Sequence, residues 1–178
     1  MRLSMLFVCA SAIFLAACGR NPPSAAEPGS AFDPIAFFDG HTESWGVIEH
    51  RSGAPAERLV TVSQGGTDKD GRLRMVQHLS FQDGTTQERD WIVWRNGAGR
   101  FDATANDMVG TAAGSADGNI FHWTWVLARS PGNVLMDVTM NQWMYRLADG
   151  SVMVRTTIGK FGIIVAEVSE QFTHKAKA

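Results

Sequence analysis

The sequence predicts an all-β protein: an antiparallel up-and-down barrel of about nine or ten strands, with a two-sheet sandwich as the alternative. Three observations carry this. Asx-Gly pairs recur at Asp70-Gly71, Asp83-Gly84, Asn96-Gly97, Asp117-Gly118 and Asp149-Gly150, and such pairs tolerate the positive φ angles of tight hairpin turns. The segments between them alternate apolar and polar residues with period two. No segment keeps a helical period beyond a turn or two. Consecutive hairpins with one buried face form a meander. A sheet of that many strands tends to curl, which removes its exposed edges.

The elements follow in order. Arg2 and an apolar run from Leu3 to Leu15, closed by Ala16-Ala17-Cys18, have the layout of a secretory signal over residues 1–17. The run is too short for a spanning helix, which needs roughly 20 apolar residues. Residues 18–31 read as a tether, with Asn21-Pro22-Pro23-Ser24, Pro28 and Gly29-Ser30 offering nothing to bury. A single β domain is expected over residues 32–178. It opens with one helical turn: Asp33 as cap, Pro34 at the first position, then Ile35, Phe37 and Phe38 to plug one end of the core. Leu73, Met75, Leu79 and Phe81 alternate with Arg74, His78 and Ser80, with Gln77 as the one polar break. Phe121, Trp123, Trp125 and Leu127 form a second apolar stripe, and Val134, Met136, Val138 and Met140 a third. Val152 to Ile158 and Ile163 to Phe172 continue the series.

Composition narrows the classes of function. The chain has 178 residues, and removing the first 17 leaves 161, enough for one domain with a sizeable core. Without Arg2, 15 basic residues stand against 18 acidic ones, a formal charge of −3. Such a balance gives no electrostatic pull toward nucleic acid or anionic lipid. Cys9 lies in the signal and Cys18 at its end, so no thiol is left for a disulfide, metal or nucleophile. Of six Trp, ten Phe and eight Met in the chain, all six Trp, eight Phe and six Met lie beyond residue 17 and are the material for the core.

Leu15-Ala16-Ala17-Cys18 resembles the lipobox of bacterial lipoproteins. The resemblance implies acylation of Cys18, which becomes the first residue of the mature chain. Gly19 in the next position, by resemblance to the sorting rule of enteric bacteria, implies the outer membrane of the cell envelope. Further stretches are Phe38-Asp39-Gly40, Trp45-Gly46, Arg89-Asp90-Trp91, Asp107-Met108-Val109-Gly110, Gly114, Gly118-Asn119, Trp143-Met144-Tyr145, Lys160-Phe161-Gly162 and Glu167-Val168. In order and spacing they resemble a family of proteobacterial lipoproteins, domain of unknown function 3833, over nearly all of the mature domain. That family brings no established activity. The outline is also similar to the lipocalin and fatty-acid-binding barrels, which would put Trp45 at the barrel floor. However, Glu43-Ser44-Trp45 stands where lipocalins have Gly-x-Trp.

No constellation points to catalysis, and the protein is read as a non-enzyme. His41, His50, His78, His122 and His174 show no metal-binding spacing, so neither metal nor cofactor is expected. The acid pairs Glu88/Asp90 and Glu167/Glu170 are read as surface charges answered by Arg89 and Arg95. The site-like residues are Trp143, Tyr145, Arg155 and Lys160. Trp143 and Tyr145 lie at the end of one strand, and Arg155 and Lys160 on the next. Together they would grip the anionic head of an apolar small ligand. The alternatives are that the aromatics close the core, that Lys160 is solvated, and that Glu167 partners the cations. The expected function is a membrane-anchored, periplasm-facing barrel that binds a lipid-like or other apolar ligand. The alternative is a structural or accessory lipoprotein with a filled core, acting through its surface.

Overall fold

A computed structural model describes residues 32–130 and 132–175. The signal over residues 1–17, Cys18 and the tether to residue 31 lie outside the described residues. The first described element is the expected turn, α1 (Pro34–Phe38). Asp33 caps it, with Oδ1 accepting from the backbone nitrogens of Ile35 at 3.0 Å and Ala36 at 3.4 Å. This satisfies N–H groups that so short a helix cannot bond internally.

Ten strands follow: β1 (Gly40–His50), β2 (Pro55–Thr67), β3 (Leu73–Phe81), β4 (Thr86–Arg95), β5 (Arg100–Ala105), β6 (Met108–Asp117), β7 (Ile120–Leu127), β8 (Val138–Arg146), β9 (Val152–Lys160) and β10 (Ile163–His174). Each pairs antiparallel with the next, and β10 returns to β1 with Ser44 opposite Phe172, closing the barrel. The five Asx-Gly pairs fall between β2 and β3, β3 and β4, β4 and β5, β6 and β7, and β8 and β9. The sandwich alternative is not adopted. The one expectation displaced in register concerns Val134 and Met136. They form a short 3₁₀ turn, Val134–Met136, capped by Asn133, and β8 begins only at Val138.

Alternate residues point inward, as a pleated strand requires. In β3 these are Leu73, Met75, Gln77 and Leu79; in β7, Phe121, Trp123 and Trp125. The glycine-rich stretch from Gly110 to Gly114 lies in β6, whose pairing with β7 shifts register between Val109 and Ala113. A Cβ on Gly114 would come within 2.7 Å of the Phe121 ring and 2.8 Å of Trp123 Cβ. The aromatic stripe of β7 therefore needs a bare backbone beside it.

The two ends of the barrel differ. The turns after β2, β4, β6 and β8 lie at one end, and α1 lies across it. Phe32 N donates to Gly118 O at 2.7 Å, and Asp33 pairs with Arg95. We call this end the floor. The connections after β1, β3, β5, β7 and β9 lie at the other end, the mouth. Trp45, expected at the floor, points outward and is 58% exposed. It sits on the opposite parity to the inward Thr42 and Ser44.

Candidate ligand site in the barrel interior

At the mouth the barrel holds an open recess of about 310 Å³. Ile48, Phe81, Leu127, Val138 and Ile158 supply most of its apolar wall; Glu57, Thr85, Gln87 and Arg129 are its polar members. These apolar residues are the last inward positions of their strands. Below them Leu59, Leu79 and Val168 pack together as a separate small cluster. Beneath that layer lies an internal cavity of about 60 Å³, room for a few water-sized groups. Pro34 and Phe38 of α1 close it from below.

The wall of this inner cavity is mostly apolar but carries Thr61, Gln77, Arg89, Gln142 and Glu170 where sequence alternation alone suggests an apolar core. Glu170 of β10 lines it, and Glu170 Oε1 accepts from Ser44 Oγ at 2.9 Å and Thr61 Oγ1 at 3.1 Å. The accessible surface that Glu170 keeps faces a space enclosed by strands. Its removal from bulk water pushes its carboxyl pKa up, against the pull of the two hydroxyls and the charge of Arg89. Directly opposite Glu170 on β1 stands Gly46. A Cβ there would meet Glu170 Cγ at 2.5 Å, so the glycine makes the space this side chain occupies.

Arg89 of β4 points inward and is 8% exposed. Its Nε donates to both carboxylate oxygens of Asp107, at 2.9 and 2.8 Å, from the turn between β5 and β6. The four Nη hydrogens take no part in that contact. The guanidinium lies 4.8 Å from the Trp125 ring centroid and 5.9 Å from that of Trp91, a cation–π arrangement in a partly dry setting. Trp91 and Trp123 stack at 5.0 Å. Trp91 Nε1 donates to Gln77 Oε1 at 2.7 Å, and Gln77 Nε2 to Ser63 Oγ at 3.1 Å. Trp123 Nε1 donates to Gln142 Oε1. Trp125 Nε1 is buried with no hydrogen-bond partner in the protein.

The residues singled out from sequence sit elsewhere. In β8 the inward positions are Val138, Met140, Gln142 and Met144, so Trp143 and Tyr145 face outward. Arg155 alternates with the buried Val154 and Thr156 and is also outside. The register does bring two of them together, with Trp143 directly opposite Arg155. Arg155 pairs with Glu167, the partner weighed as the alternative. Trp143 stacks on His122, ring centroids 3.9 Å apart, and His122 Nε2 meets Asn141 Oδ1 at 2.5 Å. Lys160 ends β9 at the mouth, where its Nζ donates to the Leu135 carbonyl. None of the four is among the residues lining the inner cavity or the recess.

Sequence reasoning missed Arg89 and Glu170 as interior residues. Each interrupts an apolar stripe: Arg89 shares its parity with Trp91 and Val93, and Glu170 shares its own with Val168 and Phe172. That parity was the available signal. Several stretches that carry the family resemblance meet at this cavity, namely Trp45-Gly46, Arg89-Asp90-Trp91 and the Asp107 turn. Among the described residues, no group of three or more His, Cys, Asp or Glu is placed to hold a metal ion.

The outline has counterparts among solved structures. An S-type phycobiliprotein lyase, CPES, from Guillardia theta superposes with a TM-score of 0.59 at 6% identity, covering 81% of this chain and 91% of that one. A protein of unknown function from the DUF3598 family of Nostoc punctiforme PCC 73102 superposes with a TM-score of 0.55 at 14% identity, covering 85% of this chain and 53% of that one. At these identities the likeness is one of fold. No protein of curated function matches the chain in sequence. The profile described as "Protein of unknown function (DUF3833)" matches residues 12–174, and the chain belongs to that family.

Proposed function

We propose that this protein is a binding module of the cell envelope, held to the membrane through an acylated Cys18 and taking a small apolar ligand at the barrel mouth. The open recess of about 310 Å³, apolar in its wall and edged by Arg129, carries this reading. Ligand sites are concave, mostly apolar and supplied with a few polar groups, and begin at about this size. The similar barrel of a protein named a phycobiliprotein lyase supports it by fold analogy only. The apolar body of the ligand would rest on Phe81, Leu127, Val138 and Ile158. Arg129 and Lys160 are the cations at hand for an anionic head. Arg155 is neutralised by Glu167 on the outer wall and has no part in this reading. The proposed role is binding rather than catalysis.

A second reading has an observation of its own. The inner cavity, at about 60 Å³, is too small for a lipid chain, which favours an accessory lipoprotein acting through its surface. Titration of the unacylated domain with fatty acids and lysophospholipids, followed by Trp fluorescence, separates the two. Binding that weakens in Arg129→Ala but not in Arg155→Ala supports the recess. If wild type shows no response at micromolar ligand, the accessory reading takes its place. Anchoring is tested separately by fractionating cells that carry Cys18→Ser: membrane pelleting of that variant would refute it.

A further inference from the structure

We propose that the mouth carries a membrane contact of its own, an apolar lip that enters the acyl region of a bilayer beside the recess. Seven of the eleven large apolar side chains exposed among the described residues lie on two neighbouring segments there: Val134, Leu135 and Met136 on the β7–β8 connection, and Phe161, Ile163, Ile164 and Val165 at the β9–β10 hairpin. Phe161 is 79% exposed, Val134 77% and Leu135 66%. The bond from Lys160 Nζ to the Leu135 carbonyl joins the two segments. Val165 also lines the recess, so the lip continues into it.

Folding does not account for Phe161. It sits at φ 51° and Gly162 at φ 77°, both positive, between the paired residues Lys160 and Ile163. This two-residue hairpin needs left-handed backbone at both positions, which suits Asn, Asp and Gly. In the five Asx-Gly pairs of the same chain only the glycine takes a positive φ, and among the described residues Phe161 is the one non-glycine that does. Here a bulky ring takes the strained position and projects into solvent. A local choice that opposes both backbone preference and burial marks a functional position.

The occupant is argued from charge and reach. Residues 128–137 and 159–166 contain Arg129 and Lys160 against a single acid, Asp137. Aliphatic and Phe side chains flanked by cations match a bilayer, with the rings and branches in the acyl boundary and the cations at phosphate level. Thirteen residues separate Cys18 from Phe32, and at roughly 3.3 Å each they extend to about 43 Å. A barrel of strands about ten residues long, tilted about 40°, stands only about 25 Å tall. A chain that enters at the floor can therefore still turn its mouth to the membrane that anchors it. This last point alone rests on the anchored reading of Cys18.

The test uses the chain from Gly19 onward, which lacks the anchor and keeps the whole closed barrel. It is floated with vesicles of phosphatidylcholine mixed with phosphatidylglycerol. Wild type should float, and Phe161→Asn should weaken partitioning by about tenfold or more, the loss of one buried aromatic. The melting temperature of that variant should hold or rise, because Asn suits the turn. Leu147→Asn removes an exposed apolar residue at the floor end and should leave flotation unchanged. The proposal is overturned if wild type does not float, if Phe161→Asn floats as well as wild type, or if Leu147→Asn loses as much. It is also overturned if light scattering finds a dimer that Phe161→Asn dissociates, since a second copy would then cover the lip. Titration with soluble ligand and the Cys18→Ser fractionation report on the other readings independently of vesicles.

Discussion

The floor and the mouth of this barrel are built from the same kinds of side chain in opposite states. At the floor, Phe32, Ile35, Phe37 and Phe38 are each no more than 5% exposed. Phe38 meets Phe37 at 4.9 Å and Phe172 at 5.4 Å between ring centroids, both edge-on. At the mouth, Phe161 and Val134 stand in solvent around an open recess. A short capped helix covers one end, and among the described residues no α-helix covers the other. Apolar composition therefore does not say whether a segment is core or surface; what decides is whether another element lies over it. Where nothing does, the physical cost of exposure asks for a functional reason.

Truncation at the floor should give the largest effect. Phe38→Ala is expected to cost about 3–5 kcal/mol of stability, as for a large aromatic removed from a packed core, measured by denaturant unfolding. A cost below about 1 kcal/mol would mean that α1 is not part of the core, and the contrast between the ends would fail.

Next is Gly65→Ala. A Cβ on Gly65 would lie 1.9 Å from the Phe38 carbonyl oxygen, a backbone atom that cannot step aside alone. The variant should lose about 1–3 kcal/mol, in the range of overpacked cores. Hydrogen exchange should show the loss at the floor first, with α1 loosening ahead of the mouth strands.

Phe161→Asn sharpens the comparison by its sign. Relief of left-handed strain should stabilise the fold by up to about 1 kcal/mol, read as a raised melting temperature. A destabilised variant would show that the exposed ring packs on something after all.

The smallest effect is a slope with pH. Enclosure raises the Glu170 pKa in the folded state above its ordinary value of 4.5. The folded protein then holds a proton that the unfolded chain gives up, so the Glu170 contribution is fully present below about 4.5. It is lost as pH rises through the folded value. Asp68, Asp83 and Asp149, held below 3.8 by turn hydrogen bonds, act with opposite sign at lower pH. The measurement is therefore the difference between wild type and Glu170→Gln. Wild-type stability should fall relative to the variant as pH rises from about 4.5. A difference independent of pH would show that the carboxyl is solvated.

Much of the fold was legible locally. Asp70-Gly71 and Asn96-Gly97 mark turns because their backbone requirements are met within two residues. Leu73, Met75 and Leu79 reveal a buried face because strand parity is a property of neighbours in sequence. The candidate site was less legible. Trp143 and Arg155 do share a wall, but parity sends both outward, and only their neighbours Gln142 and Thr156 could have warned of this. Arg89 looked like a surface charge beside Glu88 and Asp90. Its true partner, Asp107, is brought to it by the pairing of β4 with β5 and the turn that follows.

The sequence by itself determined the class of structure, the number and order of strands, the capped turn at Asp33 and membership in a family. These depend on backbone preferences and on alternation over a few residues. Tertiary structure alone decided that β10 meets β1, that Gly46 leaves room for Glu170 across that seam, and that Arg89 faces the Trp91–Trp125 pair. It also decided which apolar segments α1 would cover and which would remain at the mouth. Closure joins residues more than a hundred positions apart, such as Ser44 and Glu170. No local preference encodes which of two inward polar groups will find the other across a barrel.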